Sequence, residues 1–164
     1  MIHLDRLLLN RRGRERMINA AKMTDERETP LELFEPLHAE FNFDVDVAAM
    51  YNNTKLPKYF HIGDSGLKQE WAPMRCFMNP PYSEIPRWLD KATVEMNKGA
   101  LIVAILPIDS STRWFHNYIW DESKNNWRNG IKVRFPSKRF KFDKYANSAK
   151  FATMIAIMNH ELGK

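Results

Sequence analysis

The stretch Ala100-Leu101-Ile102-Val103-Ala104-Ile105-Leu106 is apolar at every position. A strand with one wet face would alternate between apolar and polar residues. This one predicts a central strand covered on both faces, as in an α/β sheet with helices packed on each side.

The flanking sequence fits that frame. Upstream, Ile85, Trp88, Leu89, Ala92 and Met96 recur at helical spacing, Ser83 stands where a cap belongs, and Gly99 supplies a stop. The segment Thr29-Pro30-Leu31-Glu32 reads as a helix start, with Thr29 as N-cap, Pro30 in the first turn and Glu32 closing a capping box. That helix is expected to run to about His38 and to bury Leu31, Phe34 and Leu37. An alternating strand follows at 43–49, with Phe43, Val45 and Val47 on one side. Residues 51–71 have loop composition. A helix is expected around 113–120, and two late strands at 131–135 and 151–158 pair more directly, as in a hairpin. Strands alternating with helices predict a three-layer α/β domain. The 164 residues suit one such domain, taken as 25–164, preceded by a basic extension or helix over 1–24.

A short apolar strand, Arg75-Cys76-Phe77-Met78, leads directly into Asn79-Pro80-Pro81-Tyr82. Open α/β sheets bind ligands just past the carboxyl ends of their strands. Asn79 offers a side-chain carbonyl there, and Pro80 a backbone carbonyl with no competing N–H. Tyr82 adds an aromatic face for a planar group, a contact worth roughly 1–3 kcal/mol per stacked base. Two acceptors and a platform suit a planar amine whose delocalised lone pair makes it a poor nucleophile. The same residues also suit a stiff strand-to-helix turn.

Lys and Arg number 25 against 20 for Asp and Glu, a net charge of +5 compatible with a polyanionic partner. The basic run Arg11-Arg12-Gly13-Arg14-Glu15-Arg16 is either a solvated tail or a phosphate-contacting arm. The segment 138–144 interleaves Lys138, Arg139 and Lys141 with Phe140 and Phe142, and reads equally as an exposed loop or a backbone-tracking surface whose rings touch bases. The single Cys76 precludes an intramolecular disulfide and a cysteine-cluster metal site, and is expected to be a small buried hydrophobe. No apolar run is long enough for a membrane span. A cytoplasmic protein is expected.

In the order Thr29-Pro30, Asp46-Val47-Ala48-Ala49, Trp71, Asn79-Pro80-Pro81-Tyr82, Leu106-Pro107, Ser111-Thr112-Arg113-Trp114-Phe115-His116 and Gly130-Ile131-Lys132-Val133-Arg134-Phe135, the chain resembles the small phage-type DNA N6-adenine methyltransferases of the Dam group. The resemblance implies a Rossmann-like class I methyltransferase fold, its sheet mostly parallel with a late antiparallel strand. It implies S-adenosylmethionine as methyl donor, DNA as partner, no metal, and a bacterial host if the chain is phage-encoded. A flipped adenine would donate its amine to Asn79 and the Pro80 carbonyl and stack on Tyr82, with Pro81 stiffening the turn. Thr29, Pro30, Asp46, Ala48 and Asp64 would face the cofactor, and Ser111, Thr112, Arg113 and Trp114 would border the cleft, Trp114 either in the core or facing a base. A role in disguising phage genomes from host nucleases is what the resemblance suggests. The chain departs from many methyltransferases in having Ala48-Ala49-Met50-Tyr51 where a glycine-rich loop often stands. An RNA-adenine or protein-glutamine methyltransferase, or an inactive binding module of the same fold, would share these features.

Overall fold

The computed structural model describes residues 28–61, 66–142 and 152–163. They form α1 (Leu31–Phe41), β1 (Val45–Ala49), β2 (Tyr59–His61), β3 (Arg75–Met78), α2 (Ile85–Asn97), β4 (Leu101–Pro107), β5 (Trp120–Asp121), β6 (Asn126–Trp127), β7 (Ile131–Arg134) and β8 (Thr153–Met158). Six strands make one sheet in the order β2-β1-β3-β4-β8-β7, and β5 and β6 pair separately. The pairs β1–β2, β1–β3 and β3–β4 are parallel, while β8 runs antiparallel to both β4 and β7. The late hairpin-like pair and the mostly parallel α/β sheet expected from the sequence are therefore present.

β4 sits between β3 and β8 and buries both faces. Ile102, Ala104 and Leu106 point into one apolar cluster with Trp88, Leu89, Ala92 and Met96 of α2. Val103 and Ile105 point into another with Leu33, Phe34 and Leu37 of α1. Each buried aliphatic side chain contributes about 1.5–3 kcal/mol by leaving water. α2 buries the five residues predicted for its inner face, and also Glu95. It ends at Gly99, whose φ of 108° is a left-handed conformation that a side chain would strain. Trp71 and Trp88 stack at 6.2 Å on this side of the sheet, and Phe34 meets Phe77 edge-on at 5.1 Å on the other.

Several local expectations are corrected. Pro30, not Thr29, occupies the N-cap of α1, with no side-chain cap bond, and its carbonyl accepts the N–H groups of Leu33 and Phe34 at 3.0 and 3.1 Å. Leu33 takes the inward place given to Leu31, which is 55% exposed, and the helix starts one residue later than expected and runs to Phe41. Ser83 lies inside a 3-10 turn, Tyr82–Glu84, and Glu84 holds the N-cap of α2. β1 begins only at Val45 and is buried on both sides; Phe43, ahead of it, joins the α1 cluster while Val45 and Val47 join the α2 cluster. The helix expected at 113–120 forms over 113–119 but is π-helical over Phe115–Ile119, after which Trp120 enters β5. Cys76 is fully buried as expected, and burial pushes its thiol up to about 12. Residues 1–24 lie outside the described residues.

From β1 the chain moves outward to β2, then returns to build β3 on the other side of β1. Strand order reverses there. In an open α/β sheet, the crevice at the carboxyl ends of two such strands is where ligands bind.

Candidate functional site

Asn79 follows the last residue of β3 and so stands at one wall of that crevice. Pro80 and Pro81 are buried, and Pro81 is extended at φ −61°, ψ 129°, aiming the chain into the 3-10 turn that begins at Tyr82. Tyr82 is half-buried and leans on the α2-side cluster. Asn79 Nδ2 donates to Thr29 Oγ1 at 2.9 Å. The hydroxyl that the local sequence assigns to a helix cap is thus engaged by a residue fifty positions away in the chain.

β1 forms the other wall. Asp46 is 5% exposed, and a register shift between Asp46 and Ala49 bends the strand at this point. Asp46 Oδ1 accepts the Ala48 N–H at 3.2 Å. Burial pushes the Asp46 carboxyl up to about 7, with the Ala48 bond and the Lys55 charge opposing. The glycine-poor turn after β1 is closed by Asn53, whose Oδ1 accepts the Met50 N–H at 2.7 Å. Lys55 Nζ then meets Glu28 Oε1 at 2.6 Å. Residues 28–30 consequently strap the two walls together, through Glu28 to the turn beyond β1 and through Thr29 to the residue beyond β3.

The loop after β4 opens on the same edge of the sheet, since β3 and β4 are parallel neighbours. Ser111 donates from Oγ to Asp109 Oδ1 at 2.6 Å, and Thr112 from Oγ1 to the Asp109 carbonyl at 2.7 Å. Arg113 is exposed. Trp114 is buried and meets Phe115 edge-on at 6.1 Å, which places it in the core.

The basic segment after β7 packs on the α1 side. Lys138 Nζ meets Glu32 Oε2 at 2.6 Å, and Arg139 and Lys141 are exposed. Phe140 and Phe142 are buried in the α1-side cluster, a correction to the base-contacting role expected of Phe140. Their alternate spacing was the signal, since period-two rings around an exposed lysine mark a strand-like segment with one face inward. Asp64 and positions 143–144 lie outside the described residues.

Two structural residues escaped the sequence reading. Glu95 is fully buried and accepts the N–H groups of Trp71 and Ala72 at 2.9 and 3.1 Å, along with Lys91 Nζ at 2.6 Å. Its position at helical spacing beside Trp88, Ala92 and Met96 is the signal that could have found it. Gly66 lies so close to β1 that an added Cβ would stand 2.3 Å from the Val47 carbonyl oxygen. No spacing in the chain marks it.

Among the described residues no helix is long and apolar enough to cross a membrane, and no group of three or more His, Cys, Asp or Glu could hold a metal ion. A family model described as DNA N-6-adenine-methyltransferase (Dam) matches residues 18–162. A protein named DNA N-6-adenine-methyltransferase from Haemophilus phage HP1 is 34% identical over 90 residues, 53% of this chain and 52% of that protein. One of the same name from Escherichia phage T1 is 33% identical over 89 residues, 53% of this chain and 37% of that protein. The alignments span about half, or less, of these relatives. The family match covers most of the chain and takes in both walls of the crevice, and on that ground the chain belongs to the DNA N-6-adenine-methyltransferase (Dam) family.

Proposed function

We propose that the protein transfers a methyl group from S-adenosylmethionine to the exocyclic N6 amine of adenine in DNA. The observation that carries this reading is the position of Asn79-Pro80-Pro81-Tyr82 at the reversal of strand order, after the strand that pairs with β1 and its buried Asp46, in a chain of the Dam family. The late antiparallel strand and the helices on both faces support a three-layer, Rossmann-like class I methyltransferase fold.

The flipped adenine stacks on Tyr82 and donates its amine hydrogens to Asn79 Oδ1 and the Pro80 carbonyl. Those acceptors draw the amine from planar toward tetrahedral geometry and aim its lone pair. When bound, S-adenosylmethionine supplies an electrophilic methyl on a sulfonium. Asp46, a carboxylate held out of water on β1, suits a cationic ligand, and Pro30 and Ala48 are the further cofactor contacts assigned within the described residues, with Asp64 carried as one from the sequence alone. Fixing both reactants is the main catalytic device, an effect worth up to roughly 7–11 kcal/mol. Ser111, Thr112, Arg113, Arg139 and Lys141 border the DNA path. Modification of phage DNA against host nucleases, within the bacterial cytoplasm, is the proposed setting.

The test is to incubate purified protein and radiolabelled S-adenosylmethionine with double-stranded DNA, single-stranded DNA, RNA and protein, and to identify the labelled product. N6-methyladenine in DNA is expected, and Asn79→Ala should abolish it with the fold intact. Its absence from every DNA tested would sink the reading, and label in RNA or protein would reassign the substrate.

A further inference from the structure

We infer that Thr29 is a positioning residue for Asn79, holding the acceptor amide in the plane that the substrate amine must meet. The inference rests on the function proposed above and assigns Thr29 to the acceptor side of the crevice instead of the cofactor side.

Three observations carry it. The Thr29 hydroxyl lies 2.9 Å from Asn79 Nδ2, and Thr29 is 5% exposed, so the bond is shielded from competing water. The residue is itself held in place. On one side Glu28 pairs with Lys55 at 2.6 Å, with their side chains 32% and 14% exposed. On the other, Pro30 fixes the backbone at φ −67° and its carbonyl caps the first turn of α1. Finally, Pro30 and not Thr29 takes the N-cap, and its carbonyl accepts the first α1 N–H groups, so the helix start does not account for the hydroxyl.

The chemistry follows from the amide. An asparagine side chain turns about its terminal torsion and can present either its oxygen or its NH2. With Nδ2 engaged by Thr29, the carbonyl edge is the one turned away from that partner, and an incoming amine that donates meets an acceptor. Without the hydroxyl, the amide loses the hold that Thr29 gives it, and the carbonyl drifts from the line of the amine. Misplacement by about 1 Å costs on the order of a hundredfold in rate.

Thr29→Val keeps the shape and removes the hydroxyl, and Thr29→Ser restores it. In steady-state kinetics on DNA, Thr29→Val should lower kcat by about 10- to 100-fold while the KM values for S-adenosylmethionine and DNA stay within about threefold. Thr29→Ser should return kcat to within about threefold of wild type. In 15N-labelled protein, the Asn79 side-chain NH2 resonances should move in Thr29→Val and return in Thr29→Ser. If Thr29→Val does not fold by thermal melting, Thr29→Ala removes the same hydroxyl without adding bulk and takes its place. An unchanged kcat with a raised KM for S-adenosylmethionine would overturn the inference in favour of a cofactor contact. Loss in Thr29→Ser equal to that in Thr29→Val would overturn it in favour of packing. A wild-type protein that makes no N6-methyladenine fails the proposed function itself, whereas an active wild type with an unaffected Thr29→Val fails only the positioning role.

Discussion

The carboxylate of Glu95, fully buried on α2, accepts the backbone N–H of Trp71 at 2.9 Å. The bond ties the helix that follows the Asn-Pro-Pro-Tyr segment to the loop that precedes β3, so both approaches to the acceptor residues are fixed by one side chain. Lys91 at 2.6 Å and Lys98 at 3.4 Å meet its other oxygen.

Replacement of Glu95 by Gln leaves this network half satisfied, because one amide cannot accept from two backbone N–H groups and two ammonium groups at once. Glu95→Gln should cost about 2–4 kcal/mol, seen in thermal melts as a fall of roughly 5–15 °C. Burial pushes the Glu95 carboxyl up, but its hydrogen bonds from Lys91, Trp71 and Ala72 outweigh that and hold it down to about 2. The stability it contributes is therefore present above its ordinary value of 4.5 and lost as pH falls toward 2. Urea titrations should show the gap between wild type and Glu95→Gln closing across that window.

Asp46 has the opposite sign. Its folded value of about 7 lies above the ordinary 3.8, so the unfolded chain ionises first and stability falls as pH rises from about 3.8 to about 7. Asp46→Asn should be at least as stable as wild type at pH 8. Binding of a cationic cofactor favours the ionised form, so wild-type affinity for S-adenosylmethionine should rise about tenfold between pH 6 and pH 8. Calorimetry on both proteins checks this, since the ligand's own amine titrates nearby and Asp46→Asn reports that part alone. Equal slopes in the two would remove Asp46 from the cofactor wall.

In the stacking role proposed for Tyr82, its ring matters more than its hydroxyl. Tyr82→Phe should keep KM for DNA within a few-fold, and Tyr82→Ala should raise it by roughly 5- to 100-fold, the range that one stacked base is worth. S-adenosylmethionine binding should change little in either, and an equal loss of cofactor affinity would count against stacking.

The basic segment divides into parts that face outward and parts that do not. Reversing Arg139 and Lys141 to Glu should lower the dependence of DNA affinity on log salt by about 2, one for each phosphate no longer neutralised. Reversing Lys138 should do less, because it is already paired with Glu32. Phe140→Ala should instead destabilise the protein by about 3–5 kcal/mol, as expected when an aromatic ring is removed from a core. Binding measured against salt concentration and chemical denaturation separate the two effects.

The fold was legible where one sequence pattern dominated. The unbroken apolar run of β4, the helical spacing of α2 and the stop at Gly99 each admit one structure, and each formed. β2 was not foreseen, because three residues at a sheet edge carry too little burial to leave a pattern. The two-residue strands β5 and β6 were missed for the same reason, although Trp120 and Trp127 meet at 5.0 Å across them. At the site, Asn79 stands directly after β3, where the sequence puts it, whereas Asp46, expected in a segment at a strand end, is the second residue of β1. Thr29 was misread as a cap because capping is a local rule, and its hydroxyl is claimed by a residue brought close only by the sheet.

That hydrogen bond also bears on how the two positions can vary together in evolution. A hydroxyl both donates and accepts, so Thr29 can serve an asparagine at position 79 by accepting and an aspartate by donating. Valine or alanine at 29 would serve neither. Among homologous sequences, exchange of Asn for Asp at the acceptor position should therefore be tolerated where Thr or Ser stands at the position of Thr29, and the two sites should be lost as a pair.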